Sequence, residues 1–224
     1  QALKIYQDFA KNNPDDFHKA EAQYKTGEML EHLTKYWDAY KAYKKLVEES
    51  TANQYWDLAI ERMFAIGNVF LAGHQMLWKI PMPADMNKVV EIYQTIIRAA
   101  PFGPYAPLAT FSCGLAREKQ KRWPEAVKYY EEVMDKYPKN DLIDDAQYQI
   151  GYVWMKAARE PEYDQTAAQK GIEALQDYLI RFKRSDKTGQ AAENVAMLQQ
   201  RLSGGSLSVA KFYEKSGNYT AALV

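Results

Sequence analysis

The sequence predicts an all-α fold, an array of about five helical hairpins that is incomplete at both ends. Three observations predict it. Small residues recur twelve apart, as at Gly27 and Ala39 and at Gly114 and Ala126. An aromatic or aliphatic residue follows the second small residue by four and by seven, as Tyr43 and Leu46 follow Ala39, and Tyr130 and Val133 follow Ala126. Turn residues then close the unit, as at Pro138 or Pro101. The spacing has a physical cause. Two helices of a hairpin cross where the small residues sit, so their backbones approach closely. The residues one and two turns further along the same face fill the space between hairpins.

The clearest unit runs from Thr110 to Pro138 through Cys113, Gly114, Arg117, Trp123-Pro124-Glu125-Ala126, Tyr130 and Val133. A helix–turn–helix with this pattern and a period of about 34 residues is the tetratricopeptide repeat. The chain begins on a half-repeat, 1–14, in which Tyr6, Phe9 and Pro14 follow Ala2 at the offsets of a second helix. Asp15 or Asp16 is expected to cap the next helix. A full repeat, 16–50, carries Tyr24, Gly27, Leu30, Ala39, Tyr43 and Leu46. The next, 54–101, has a strong stripe of Trp56, Ile60, Met63, Phe64, Gly67 and Phe70. Its second helix is displaced: Val89, Tyr93 and Ile96 fall ten residues later than the spacing from Gly67 requires. An insertion around 73–85, containing His74, Met76, Leu77, Trp78 and Ile80, accounts for the displacement.

Repeat 106–138 follows the breaker-rich turn Pro101-Phe102-Gly103-Pro104-Tyr105-Ala106-Pro107. In repeat 143–183, Asp141 or Asp144 is expected to cap the helix of Ala146, Ile150, Gly151 and Trp154. Gly171 comes eight residues late, behind an insertion at 159–166. Asp164 or Thr166 is expected to cap its second helix. The last unit, 190–224, carries Ala192, Val195, Leu198 and Leu202, and Gly204-Gly205 is expected to interrupt or kink its helix at about 1 kcal/mol per glycine. Half-repeats at both ends lead us to expect an excised fragment. The expected whole is one right-handed superhelical solenoid over 1–224, with about ten helices and no sheet.

Composition narrows the function classes. The 224 residues carry 29 basic and 29 acidic side chains, so no global charge favours nucleic acid or an anionic membrane. The single cysteine, Cys113, excludes an intrachain disulfide and is expected to be a buried small hydrophobe. His18, His32 and His74 have no metal-ligand spacing. The acid pairs Asp15-Asp16 and Asp144-Asp145 precede helices, where dipole complementarity explains them. Ser203-Gly204-Gly205-Ser206 lacks the lysine of a phosphate loop. We therefore expect no catalytic residues, no metal and no cofactor.

Four residues are candidates for binding a partner: Trp78, Phe102, Tyr105 and Arg201. Apolar residues of the insertion around Trp78 either fold back on their own repeat or meet a partner. Phe102 and Tyr105 divide in the same way: either Phe102 plugs the gap between hairpins while Pro104 fixes the turn, or Tyr105 faces the groove. Arg201 is either a solvated surface charge or one half of an interface ion pair.

Three stretches carry a resemblance. Ala100-Pro101-Phe102-Gly103-Pro104-Tyr105-Ala106-Pro107, Asp144-Asp145-Ala146-Gln147-Tyr148-Gln149-Ile150-Gly151 with Tyr163-Asp164-Gln165-Thr166, and Arg201-Leu202 with Ser208-Val209-Ala210-Lys211-Phe212-Tyr213 stand out. In these the chain resembles the BamD/YfiO-like lipoproteins of the outer-membrane β-barrel assembly machinery. The resemblance implies a protein at the periplasmic face of the outer membrane, held there by an N-terminal lipid that this stretch does not include. It implies protein partners: barrel-assembly subunits at the C-terminal repeats and unfolded outer-membrane proteins at the N-terminal ones. The reading from another class is a generic tetratricopeptide adaptor of a different envelope or cytoplasmic complex, and a third is a regulatory subunit of an enzyme.

Overall fold

The computed structural model of the chain describes residues 1–49, 53–73, 75–77, 80–82, 85–160 and 164–215. They fall into two compact units, Gln1–Gln120 and Lys121–Val224. The first unit contains α1 (Ala2–Asn12), α2 (Lys19–His32), α3 (Tyr36–Glu49), α4 (Trp56–Leu71), β1 (Gln75–Leu77), β2 (Ile80–Met82), α5 (Met86–Ala99) and α6 (Ala106–Lys119). The second contains α7 (Trp123–Lys136), α8 (Leu142–Ala157), α9 (Asp164–Arg181) and α10 (Thr188–Lys215). Within each unit every helix packs on its neighbour in sequence. The fold is all-α, of the tetratricopeptide type.

At three glycines the small-residue spacing marks a helix crossing. A Cβ added at Gly27 of α2 would lie 2.3 Å from the ring of Tyr43 on α3. At Gly67 of α4 it would lie 2.7 Å from the ring of Tyr93 on α5, so the register holds across the ten-residue insertion. At Gly151 of α8 it would lie 2.5 Å from Leu175 on α9. The residues at the fourth and seventh offsets, Tyr43, Leu46, Tyr93, Ile96, Tyr130, Val133, Leu175 and Tyr178, are all fully buried, as is Cys113. By contrast α1, the half-repeat, has no fully buried residue and exposes Ile5.

Local signals set most helix ends. Pro107 and Pro124 occupy the first turns of α6 and α7, where a missing N–H costs nothing. Asp85 caps α5 by accepting from the Asn87 N–H at 2.9 Å. Gly73, at φ +84°, turns the chain out of α4 and donates its N–H to the Phe70 carbonyl. Helix α2 ends differently. Thr34 sits at φ 58°, donating to the Glu31 carbonyl while Lys35 donates to that of Leu30. That paired closure normally takes glycine, and a β-branched residue there is strained. Thr34→Gly is expected to raise stability by about 0.5–1 kcal/mol, read as a higher melting temperature.

Four expectations are corrected. The insertion is not free of sheet: β1 pairs antiparallel with β2, Gln75 facing Met82, Met76 facing Pro81 and Leu77 facing Ile80. Too short and irregular in period to add a helix, this stretch satisfies its backbone by pairing with itself. Gly204 does not interrupt the last helix, because α10 runs unbroken from Thr188 to Lys215. Its first half is anchored on α9 by the buried Ala191, Val195 and Leu198, and extending a formed helix is far easier than nucleating one. Neither Asp15 nor Asp16 caps α2, whose N-cap is His18; Asp16 instead accepts from the His18 N–H at 2.8 Å in the preceding turn. At α8 the N-cap position is Asp141, which makes no side-chain cap bond. Asn140 accepts from the Leu142 N–H, and Asp145 pairs with Lys187.

Tyr40, Tyr43, Tyr93 and Tyr178 are fully buried, and burial before all else pushes their hydroxyls above the ordinary phenol value of about 10. A raised pKa means the folded state prefers the neutral phenol. The stability this represents is complete below about pH 10 and is lost as pH rises beyond it. A tyrosinate absorbance titration is expected to show these four ionising only together with loss of helical circular dichroism; smooth ionisation in a folded chain would contradict their burial.

Candidate functional site

Exposed aromatic and polar groups gather in two places in the first unit. The first is the turn between α5 and α6. It is locked by its backbone: Gly103 donates to the Ala100 carbonyl at 3.0 Å, Ala106 to Gly103 at 3.1 Å, and Ala109 to Tyr105 at 2.8 Å. A Cβ at Gly103 would meet that of Ala100 at 3.0 Å, which is why glycine suits the position. At the tip of this rigid turn Phe102 stands 92% exposed. It does not plug the space between hairpins. Tyr105, at the start of α6, is half-buried, its ring 5.1 Å from that of Phe64 on α4. Phe102 is thus displayed outward, while Tyr105 joins the turn to the body of the unit.

The second place is a groove of about 410 Å³ lined by Tyr24, Glu28, Glu31, His32 and Tyr36, with Arg62 from α4. Glu31 organises it. Its carboxylate accepts from Arg62 Nε at 2.9 Å, from Arg62 Nη2, and from the Tyr43 hydroxyl at 2.7 Å. The hydrogen bond from Arg62 to Glu31 holds the guanidinium pKa above its ordinary value. Two tyrosine rings and a second carboxylate, Glu28, tied to Lys25 at 2.7 Å, complete the lining. This arrangement supplies aromatic faces and hydrogen-bonding groups, and it offers no nucleophile with an adjacent base. Sequence reasoning missed the Glu31–Arg62 pair. The two residues lie on different repeats, and nothing local marks them as partners.

Glu31→Ala is expected to cost about 1–2 kcal/mol, because it leaves the buried Tyr43 hydroxyl without its acceptor. Adding Tyr43→Phe to that background is expected to cost little more. A double-mutant cycle by urea denaturation reads the coupling, and full additivity would contradict it.

Of the other candidates, Trp78 lies outside the described residues. Arg201 is exposed on α10 in the second unit. Among the described residues no three His, Cys, Asp or Glu side chains stand close enough to hold a metal ion, and no helix is long and apolar enough to cross a membrane.

Helical hairpins crossing at glycines, with polar and aromatic groups displayed from helix faces and turns, define a tetratricopeptide-type repeat protein. The family model described as YfiO, outer membrane lipoprotein, matches residues 82–224, more than half of the chain. The chain belongs to the YfiO outer membrane lipoprotein family. A curated relative, the outer membrane protein assembly factor BamD of Caulobacter vibrioides, is 21% identical over 139 residues. That match takes in 62% of this chain and 46% of the relative, so the chain spans about half the relative's length. Among solved structures, a putative kinesin light chain with TPR-like repeats from Podosopora anserina matches at 13% identity and TM-score 0.45, covering 93% of this chain and 92% of that one. MamA from Desulfovibrio magneticus RS-1 matches at 15% identity and TM-score 0.40, covering 83% and 98%.

Proposed function

We propose that this chain is a non-catalytic scaffold for outer-membrane protein assembly. It binds partner subunits of the barrel-assembly machinery and segments of unfolded barrel proteins. The observation that carries the reading is the family match over residues 82–224; the relative named as an assembly factor points the same way. The structure supports binding as the mode of action. A rigid turn presents Phe102 to solvent, and a groove presents Tyr36 and Glu28 beside the paired Glu31. Aromatic side chains on rigid elements are the usual anchors of such interfaces. Tyr105 acts as the support of Phe102, Arg201 as a contact on the second unit, and Trp78 as a contact from the insertion. In the full-length protein an N-terminal lipid places the scaffold at the periplasmic face of the outer membrane.

The test is capture of a tagged full-length protein from detergent-solubilised envelope. A β-barrel membrane subunit is expected to co-purify in stoichiometric amount. Recovery of a different complex, with no barrel subunit, would overturn the assembly role while leaving a binding function.

A further inference from the structure

A second groove of the first unit, about 650 Å³, runs between α1 and α3 over α2. Its apolar lining is small: Leu3 and Ala10 from α1, Leu30 from α2 and Ala42 from α3. The charged lining is almost all of one sign. Lys35, Lys41 and Lys45 stand along the α3 side and Lys11 along the α1 side, against one carboxylate, Asp38, which Lys41 holds at 2.6 Å. Lys11 and Lys35 have no carboxylate partner among the described residues. In a chain whose formal charge is zero, this is a local concentration of positive charge around an apolar floor.

Two of the lining residues, Gln23 and Lys45, already receive a carboxylate of the chain itself beside the groove. Glu49 accepts from Gln23 at 2.7 Å, lies 2.9 Å from Lys19 and 3.7 Å from Lys45. Burial alone would push its carboxyl up, yet hydrogen bonds from Lys19 and Gln23 and the charge of Lys45 hold it below the ordinary value.

We propose that this groove docks an acidic amphipathic helix of a protein partner, its small apolar face on Ala10, Leu30 and Ala42 and its carboxylates toward Lys11, Lys35 and Lys41. The walls are helices whose backbone groups are paired within themselves. An extended segment lying there would find no backbone partners, whereas a helix satisfies its own. Lys35 to Lys45 spans about 15 Å at the helical rise, so a partner of about three turns meets Lys35 at one end and reaches Lys41 and Lys45, whose charge is shared with Asp38 and Glu49. The small side chains at Ala10 and Ala42 allow close approach of the partner helix. This site and its occupant are independent of the Phe102 turn and the Glu31 groove.

The probe is a fluorescein-labelled helical peptide with alanine and leucine on one face and glutamates flanking it, followed by anisotropy against the whole chain. Its affinity is expected to fall about tenfold as salt shortens the screening length from about 30 Å to about 8 Å. The Lys35→Glu/Lys41→Glu double variant, changed at two exposed positions, is expected to weaken binding at least about tenfold with an unchanged melting temperature. Ala42→Trp, which fills the floor without altering charge, is expected to block binding. Equal binding of the peptide with every glutamate replaced by glutamine would overturn the proposal. So would full affinity in the double variant. Binding to phosphatidylglycerol vesicles with none to the peptide would overturn it in favour of a lipid surface.

Discussion

Gly151→Ala is expected to destabilise the second unit by about 2–3 kcal/mol, against the sign helix propensity predicts. In an open helix, alanine is better than glycine by about 1 kcal/mol. Here the new Cβ would lie 2.5 Å from Leu175 Cγ, 2.7 Å from Cδ2 and 3.2 Å from the Leu175 backbone nitrogen. Leu175 is fully buried and has nowhere to retreat. The backbone atom cannot move without shifting α9. From the facing helix Gly171 repeats the motif: its Cβ would stand 3.4 Å from the Met155 nitrogen and 3.5 Å from the Gly151 carbonyl oxygen. Two glycines on opposed helices thus let α8 and α9 pack backbone to backbone. The control is Gly204→Ala on α10, an exposed helical position where an added Cβ meets nothing within 4 Å. It is expected to stabilise by about 0.5–1 kcal/mol. Urea denaturation followed by circular dichroism reads both; equal shifts of the same sign would show that α8 and α9 do not approach closely.

Phe102→Ala is expected to weaken capture of the envelope partner at least about tenfold while leaving the melting temperature unchanged. A phenylalanine 92% exposed in the free chain contributes little to folding, so its loss removes almost no packing. Burying that ring against a partner is worth about 1.5–3 kcal/mol, enough for an effect of tenfold or more. Tyr105→Ala provides the contrast. It removes the half-buried ring that packs on Phe64, so stability and binding are expected to fall together. Quantitative pull-down with matched thermal melts distinguishes the two. Unchanged capture by the Phe102 variant would reject the turn as a contact.

Much of the fold was legible in short sequence spacings. Gly27, Gly67 and Gly151 were placed at helix crossings from small-residue periodicity, and each proves to face the ring or branch that the offset names. Across both long spacings the register resumes, Gly67 facing Tyr93 and Gly151 facing Leu175, because a repeat that must pack the same way recovers its phase after an interruption. The site was less legible. The turn of Phe102 and Tyr105 was visible from its breakers, but the spacing left open which ring pointed inward. The double glycine of α10 does not interrupt the helix, because propensity acts over one residue while packing of its first half against α9 holds the helix as a unit.

By itself, then, the sequence determined the helices and, at Gly27, Gly67 and Gly151, the residues that meet between neighbouring helices, since these depend on backbone geometry repeated over a few turns. Tertiary structure alone decided that Phe102 stands in solvent, that Glu31 reaches Arg62 on another repeat, and that Lys11 and Lys35 converge on one groove. Exposure and the meeting of distant charges depend on how whole helices stack, and no local period encodes that.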